Sequence, residues 1–212
     1  ICETLKARIL LIQTPASFRP DKLGEAERFF RKIQLDNLVV AWETRGPAWE
    51  EPETRKKLAE ILRELDAPHV TDPFKTLPAY TSSVAYFRLH GLGKQLYYYQ
   101  FTDDELKQLK RLVEPFEAEG KEVYVLFNNL AMFDDGLRFK RYIETGKFPS
   151  LTGTVGIESV KSVIEKIRYP VEKSMLLKGL GWRLVEIEEG KQVPLSELLK
   201  EIPFKTYKDS QE

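Results

Sequence analysis

Two apolar patterns alternate along the first 145 residues. Short unbroken runs suit buried strands, and longer stretches with apolar positions three and four apart suit amphipathic helices. Arg8 to Gln13 (RILLIQ) is the first run and, closed off by Pro15, predicts a buried parallel strand. Pro20 and Asp21 open a helix on which Leu23, Ala26, Phe29, Phe30 and Ile33 recur at helical spacing. Asn37 to Glu43 (NLVVAWE) predicts the second strand. Pro52 suits the first position of a helix to Leu65, with Leu58, Ile61, Leu62 and Leu65 inward. His69 to Asp72 predicts a short strand, and a loop rich in Pro and Ser follows to Ser83. Val84 to Leu89 alternates like a strand and runs into His90-Gly91. After a loop with three tyrosines, Thr102 and Glu105 have capping-box spacing. Leu106, Leu109, Leu112, Val113 and Phe116 then make one helix face, which Pro115 and Gly120 are expected to end. Glu122 to Phe127 (EVYVLF) predicts the fifth strand, and a helix is expected from about Gly136 to Thr145.

This alternation of strands and helices implies an α/β fold with a parallel sheet and crossover helices. The pattern changes after GKFPSLTG at 146–153, which reads as a linker. The expected domains are therefore 1–148 and a small α+β module over 154–212. In the module, helices are expected over Val155 to Ile167, Lys173 to Leu180 and Pro194 to Lys200, with a strand over Trp182 to Glu188. Ile1 to Lys6 reads as the end of a helix, so the chain is expected to be a fragment.

Composition narrows the partners. Lys+Arg and Asp+Glu both number 33, so the formal net charge is zero, against the basic excess of a general polyanion binder. A local basic cleft, and nucleic acid as a substrate, stay open. Cys2 is the only cysteine, so an intrachain disulfide is excluded and a thiolate metal site disfavoured. A cytoplasmic location fits this cysteine usage. No apolar run approaches the roughly 18 residues that span a membrane. Few Cys and Met beside many Glu, Lys and Arg suit a thermophile.

Polar side chains gather where the predicted strands end: Glu43 and Arg45, then Asp72, then Arg88 and His90, then Asn128 and Asn129. Strand ends of this kind form the ligand crevice of parallel α/β folds. Burying so many polar groups is unfavourable unless they pair or meet a ligand. Each has a plain structural alternative: a salt bridge between Glu43 and Arg45, a turn at Asp72-Pro73, a satisfied core histidine at His90, a capped turn at Asn128-Asn129. His69, within a strand, reads as structural. Tyr97, Tyr98 and Tyr99 suit either a lid over the site or packing under a long loop. Phosphate-loop, dinucleotide and serine-elbow motifs are absent. Glu43, Asp72 and His90 are the candidate ligands for a divalent Mg, Mn or Zn ion.

Several of these pieces resemble one family. Leu10-Leu11-Ile12-Gln13-Thr14-Pro15, Glu43-Thr44-Arg45 with Trp49 following, Asp72, Tyr86-Phe87-Arg88-Leu89-His90-Gly91, the tyrosine loop to Phe101-Thr102, and Tyr124 to Asn129 match in order and spacing the domain-of-unknown-function 72 family, also called YecE-like. The resemblance spans roughly residues 5 to 145. It implies a TIM-type (β/α) barrel without a settled activity. Where the family often has a histidine after the Glu-x-Arg unit, this chain has Gly46, so that histidine's role does not carry over. The family's opening strands have no counterpart. The expectation is a partial barrel of about five parallel strands lacking the first three, either because the chain is a fragment, the preferred reading, or because another chain or segment supplies them.

Together these readings make an enzyme the first functional expectation: a hydrolase, metal-assisted in one version, acting on a small polar or phosphorylated substrate or on nucleic acid. Glu43, Asp72 and His90 are its catalytic candidates. Arg45, Arg88, Asn128, Asn129, Tyr97 and Trp49 are its substrate-binding candidates. The alternative is a non-catalytic module binding a ligand or a protein.

Overall fold

The structure, a computed structural model, describes residues 2–33 and 38–211. Ile1, Glu212 and the Asn37 end of the second predicted strand lie outside the described residues. The chain is a mixed α/β protein with parallel strand pairing. It divides into two compact units, residues 1–89 with 109–126, and residues 90–108 with 127–212.

In the first unit a short helix α1 (Cys2–Leu5) leads into β1 (Ile9–Gln13). Pro20 starts a single 3-10 turn that feeds α2 (Leu23–Lys32), and β2 (Val39–Glu43) follows. Pro52 occupies the first position of α3 (Pro52–Glu64), where a missing N–H costs nothing. Next come β3 (Val84–Leu89), α4 (Asp103–Ala118), whose residues from 109 belong to this unit, and β4 (Glu122–Phe127). The expected capping box starts α4: Glu105 Oε2 accepts the Thr102 N–H at 2.8 Å, and Thr102 Oγ1 accepts the Glu105 N–H at 3.3 Å. Pro115 does not end the helix as expected but lies inside it. Buried Val113 before it and Phe116 after it, the latter edge-on to Phe87 at 5.2 Å, hold the last turn through the proline. Gly120, at φ +77°, makes the turn that follows.

β1 and β2 are parallel and in register, Ile9 opposite Val39 through to Gln13 opposite Glu43. Single parallel bridges, Trp42 to His69 and Thr71 to Phe87, carry the pairing on to β3, which pairs with β4. The strand expected over His69 to Asp72 is thus reduced to isolated bridges. Pro68 and Pro73 bracket it, and neither can donate to a ladder.

Strand alternation sorts the apolar residues onto two faces. Trp42 joins Leu23, Ala26, Trp49, Leu58, Leu62 and Ala67 in one core. Phe18 stacks on Trp49 beside it. Ala41, one residue away, packs with Val70, Val84 and Tyr86, flanked by Ile9, Leu11 and Val39, in another.

The second unit contains α5 (Met132–Thr145), α6 (Ile157–Ile164), β5 (Val171–Glu172), α7 (Lys173–Leu180), β6 (Leu184–Glu188), β7 (Lys191–Pro194), α8 (Leu195–Leu198) and β8 (Thr206–Tyr207). α5 starts four residues before the expected Gly136 and ends on Gly146 in the left-handed region. β6 and β7 form an antiparallel hairpin and β5 pairs with β8. Sequence pattern did not predict β7, whose Lys191-Gln192-Val193-Pro194 carries one apolar aliphatic and a proline. Val163, Leu176, Val185, Leu195, Leu199 and Tyr207 make a core from residues 154–212 alone. Among the described residues no helix is long and apolar enough to cross a membrane.

Leu58→Ala removes a side chain with no exposed surface from the first core. It is expected to lower unfolding stability by about 2–5 kcal/mol. Phe133→Ala, at a side chain 82% exposed, should stay within about 0.5 kcal/mol. Urea denaturation curves of the two variants check the contrast.

Candidate functional site

The register of β1 and β2 delivers Gln13 and Glu43 side by side at their C-terminal ends. By alternation both lie on the face of Ala41 and Tyr86, opposite the helices. Arg88 reaches them from the end of β3, and Arg45 from two residues beyond Glu43. Arg45 donates from Nε to Glu43 Oε1 at 3.0 Å, and its Nη2 lies 2.8 Å from the same oxygen. Arg88 Nη1 donates to Glu43 Oε2, the other carboxylate oxygen. Gln13 Oε1 accepts from Arg88 Nη1 at 2.8 Å and from Arg45 Nη2 at 3.2 Å. Glu43 is buried, while the Arg45 and Arg88 side chains keep 26% and 16% of their surface exposed. The result is a pair of guanidinium forks meeting one carboxylate and one amide oxygen, with the cations toward solvent. Burial raises the Tyr86 phenol above its ordinary range, with Arg88 acting in the opposite direction.

Asp72 is buried and folded into its own turn. Its Oδ1 accepts the Phe74 N–H at 3.2 Å, its backbone carbonyl accepts the Lys75 and Thr76 N–H groups, and Lys75 Nζ lies 3.8 Å from Oδ2. Trp49 sits in the apolar core, its indole N–H donating to Phe18 O at 3.0 Å. Among the described residues no group of three or more His, Cys, Asp or Glu side chains gathers where it could hold a metal ion. Of the candidate metal ligands, Glu43 and Asp72 belong to the first unit and His90 to the second. Two arginines hold Glu43 and a turn engages Asp72.

His69 matches its structural reading. Its Nδ1 accepts the Ala79 N–H at 3.1 Å, so the ring proton is on Nε2, which donates to Thr44 Oγ1 at 3.0 Å. Burial, assisted by the Arg55 charge, pushes its pKa down to about 3.

The remaining candidates belong to the second unit. His90 is buried, with its ring 5.8 Å from that of Tyr97 and its carbonyl accepting the Tyr97 N–H. Gly91 after it has φ +95°, and a Cβ there would lie 2.4 Å from Tyr99 Cβ, so glycine is required on two counts. Asn128 is half-buried. Asn129 Nδ2 donates to Tyr99 O at 2.8 Å and to Asp135 Oδ2 at 2.7 Å. Asp135 is fully buried and also accepts the Phe101 N–H. Arg138 donates to Asp135 Oδ1, to the Phe101 carbonyl at 2.6 Å and to Asp103 Oδ1. Asn129 thus fastens the tyrosine loop to α5. Burial pushes the Asp135 carboxyl up to about 7, against the hydrogen bond from Asn129 and the charge of Arg138.

Sequence reading singled out neither Gln13 nor the Asp135–Arg138 pair. Gln13 was findable as the polar end of an apolar run aligned with Glu43. The three-residue spacing of Asp135 and Arg138 looks like any exposed helix pair until burial is known.

Parallel strands with paired guanidiniums and a carboxylate at their C-terminal ends define an α/β protein with a charged cluster at its strand ends. Residues 4–145 match the family described as "Protein of unknown function DUF72", and the chain belongs to that family. It is the family that the motifs from Leu10 to Asn129 resemble. Of solved structures, the chain is similar to a DUF72 family protein from Enterococcus faecalis V583. The identity is 21% and the TM-score 0.55, over 64% of this chain and 61% of that one. A second crystal structure with the same description gives 22% identity and a TM-score of 0.48, over 64% and 58%. The chain therefore spans less than two thirds of the length of these relatives. No curated protein matches it.

Two titrations act on stability in opposite directions. The folded pKa of His69 lies below its ordinary 6.5, so the unfolded chain binds its proton first. That contribution is full above about pH 6.5 and is lost as pH falls toward 3. Ring-proton NMR shifts of His69 should accordingly stay those of the neutral form from pH 8 to 5. The folded pKa of Asp135 lies above its ordinary 3.8, so its contribution is full below about pH 4 and is lost as pH rises through 7. Asp135→Asn removes this loss, so the stability of the variant relative to the parent should increase from pH 4 to pH 7 in denaturant melts.

Proposed function

We propose that this DUF72 protein binds a small molecule carrying a phosphate or carboxylate at the cluster of Gln13, Glu43, Arg45 and Arg88. The observation that carries the reading is the convergence of two guanidinium forks, with solvent access, on one carboxylate. Planar forks of this kind pair bidentately with oxyanions. An arriving phosphate exchanges with the Glu43 carboxylate for the same donors and leaves Glu43 next to the ligand. The parallel run from β1 through β2 and the 68–71 segment to β3 supports treating the first unit as an arc of a TIM-type barrel. In such barrels the C-terminal strand ends form the mouth.

The hydrolase version assigns Glu43, once released, as the base that orients water against the bound ester. Asp72, in the same unit, is a further candidate for proton transfer. The version without turnover is favoured by one observation: both oxygens of Glu43 are already engaged by arginines. Nucleic acid remains a wider ligand class, through its phosphates.

Calorimetric titration with inorganic phosphate, pyrophosphate and p-nitrophenyl phosphate tests the proposal. Saturable binding is expected, weakening with added salt and falling about tenfold or more in Arg88→Met. Absence of binding of all three to the folded protein overturns it. Release of p-nitrophenol that is lost in Glu43→Gln selects the hydrolase, and binding without release selects the binding module.

A further inference from the structure

A cavity of about 290 Å³ lies within the second unit, and none of Gln13, Glu43, Arg45 and Arg88 lines it. Its walls come from the tyrosine loop on one side and from α7, α8 and the start of β6 on the other. Both walls are pinned. The buried Gln100 amide oxygen accepts the Leu184 N–H at 3.0 Å, and Tyr99 donates its hydroxyl to Glu105. Gly181 lets the opposite wall close up, since a Cβ there would lie 2.4 Å from Leu177 O and 3.2 Å from Ser196 Cβ.

Two aromatic rings form a corner of the cavity: Tyr98 and Trp182, with centroids 6.3 Å apart and planes at 90°. Arg183, held by Asp134 at 2.9 Å, lies over the Trp182 ring at 5.5 Å and fixes it further. Trp42 and Trp49 are in the core of the first unit, so of the three tryptophans only Trp182 keeps solvent contact. The rest of the lining is mixed. Leu177, Leu184 and Pro194 are apolar, Gln95 and Ser196 offer an amide and a hydroxyl, and Lys178 stands at the exposed edge.

A right-angled aromatic corner accepts a flat ring, stacked on one member and met edge-on by the other. Amide and hydroxyl groups beside it match a ring with donors and acceptors on its edge better than a hydrocarbon, which would leave them unpaired. The volume is at the small end for ligand sites, enough for one ring system rather than a larger molecule. We propose that this cavity binds a nucleobase-type heteroaromatic ring, as a free nucleoside or nucleotide, with Lys178 toward its phosphate. This does not rest on the oxyanion reading of the strand-end cluster.

Titration of the full chain with adenosine, uridine and AMP, followed by tryptophan fluorescence and calorimetry, tests the proposal. Saturable quenching of Trp182 is expected, with AMP tighter than adenosine and that advantage lost in Lys178→Met. Tyr98→Ala and Trp182→Leu should each weaken binding about tenfold or more. Trp182→Phe, which keeps a ring, should retain binding by calorimetry, so that loss in the leucine variant is not loss of fold. Failure of all three probes to bind the folded protein, or binding of indole in preference to the nucleosides, overturns the proposal.

Discussion

The strand-end site depends on the in-register parallel pairing of β1 with β2. A slip of one residue would turn Gln13 to the helix face and bring Ile12 or Thr14 opposite Glu43. Register is strongly determined here because both faces are packed. Trp42 packs with Leu23, Ala26, Leu58 and Leu62 of α2 and α3, and Ala41 with Val70, Val84 and Tyr86 on the other side. Packing of a tryptophan on one side of the sheet thus fixes where a carboxylate ends up on the other.

The carboxylate then organises its neighbours. Glu43 would be costly to bury alone, and two guanidiniums meet its oxygens. Gln13 accepts from both guanidiniums as well, which ties the two forks to each other. In the second unit Asp135 acts differently. It is buried among donors from Asn129, Phe101 and Arg138, where it joins a loop to a helix instead of facing solvent. Two buried acids with arginine partners have different uses because one lies under an exposed strand end and the other inside a packed joint.

The strands and helices of residues 8–145 were largely legible because each has a strong apolar period and its own stop or start residue: Pro15, Pro52, the Thr102–Glu105 box. The exceptions have local physical causes. Prolines at 68 and 73 cut a strand to bridges, and tertiary packing carried α4 through Pro115. Of the candidate residues, Glu43, Arg45 and Arg88 come together, Glu43 and Arg45 in the salt bridge that was their structural alternative. Asn129 and Trp49 make hydrogen bonds to backbone that residue identity does not reveal. The short pairings of β5 with β8 and of β6 with β7 were not legible, since two-residue strands and a polar four-residue strand carry no periodicity. Asp135 and Arg138 were missed because burial, not spacing, separates an internal pair from a solvated one.

The Glu105 carboxylate serves two elements at once. One oxygen closes the cap of α4 on the Thr102 N–H, and the other receives the Tyr99 hydroxyl. Gly91 lets the same tyrosine ring lie against the backbone after His90. Amide protons of the tyrosine loop and of the first turn of α4 are therefore set to exchange with solvent together, as one opening unit, rather than fraying separately. Any ligand that orders one of these segments also tightens the other.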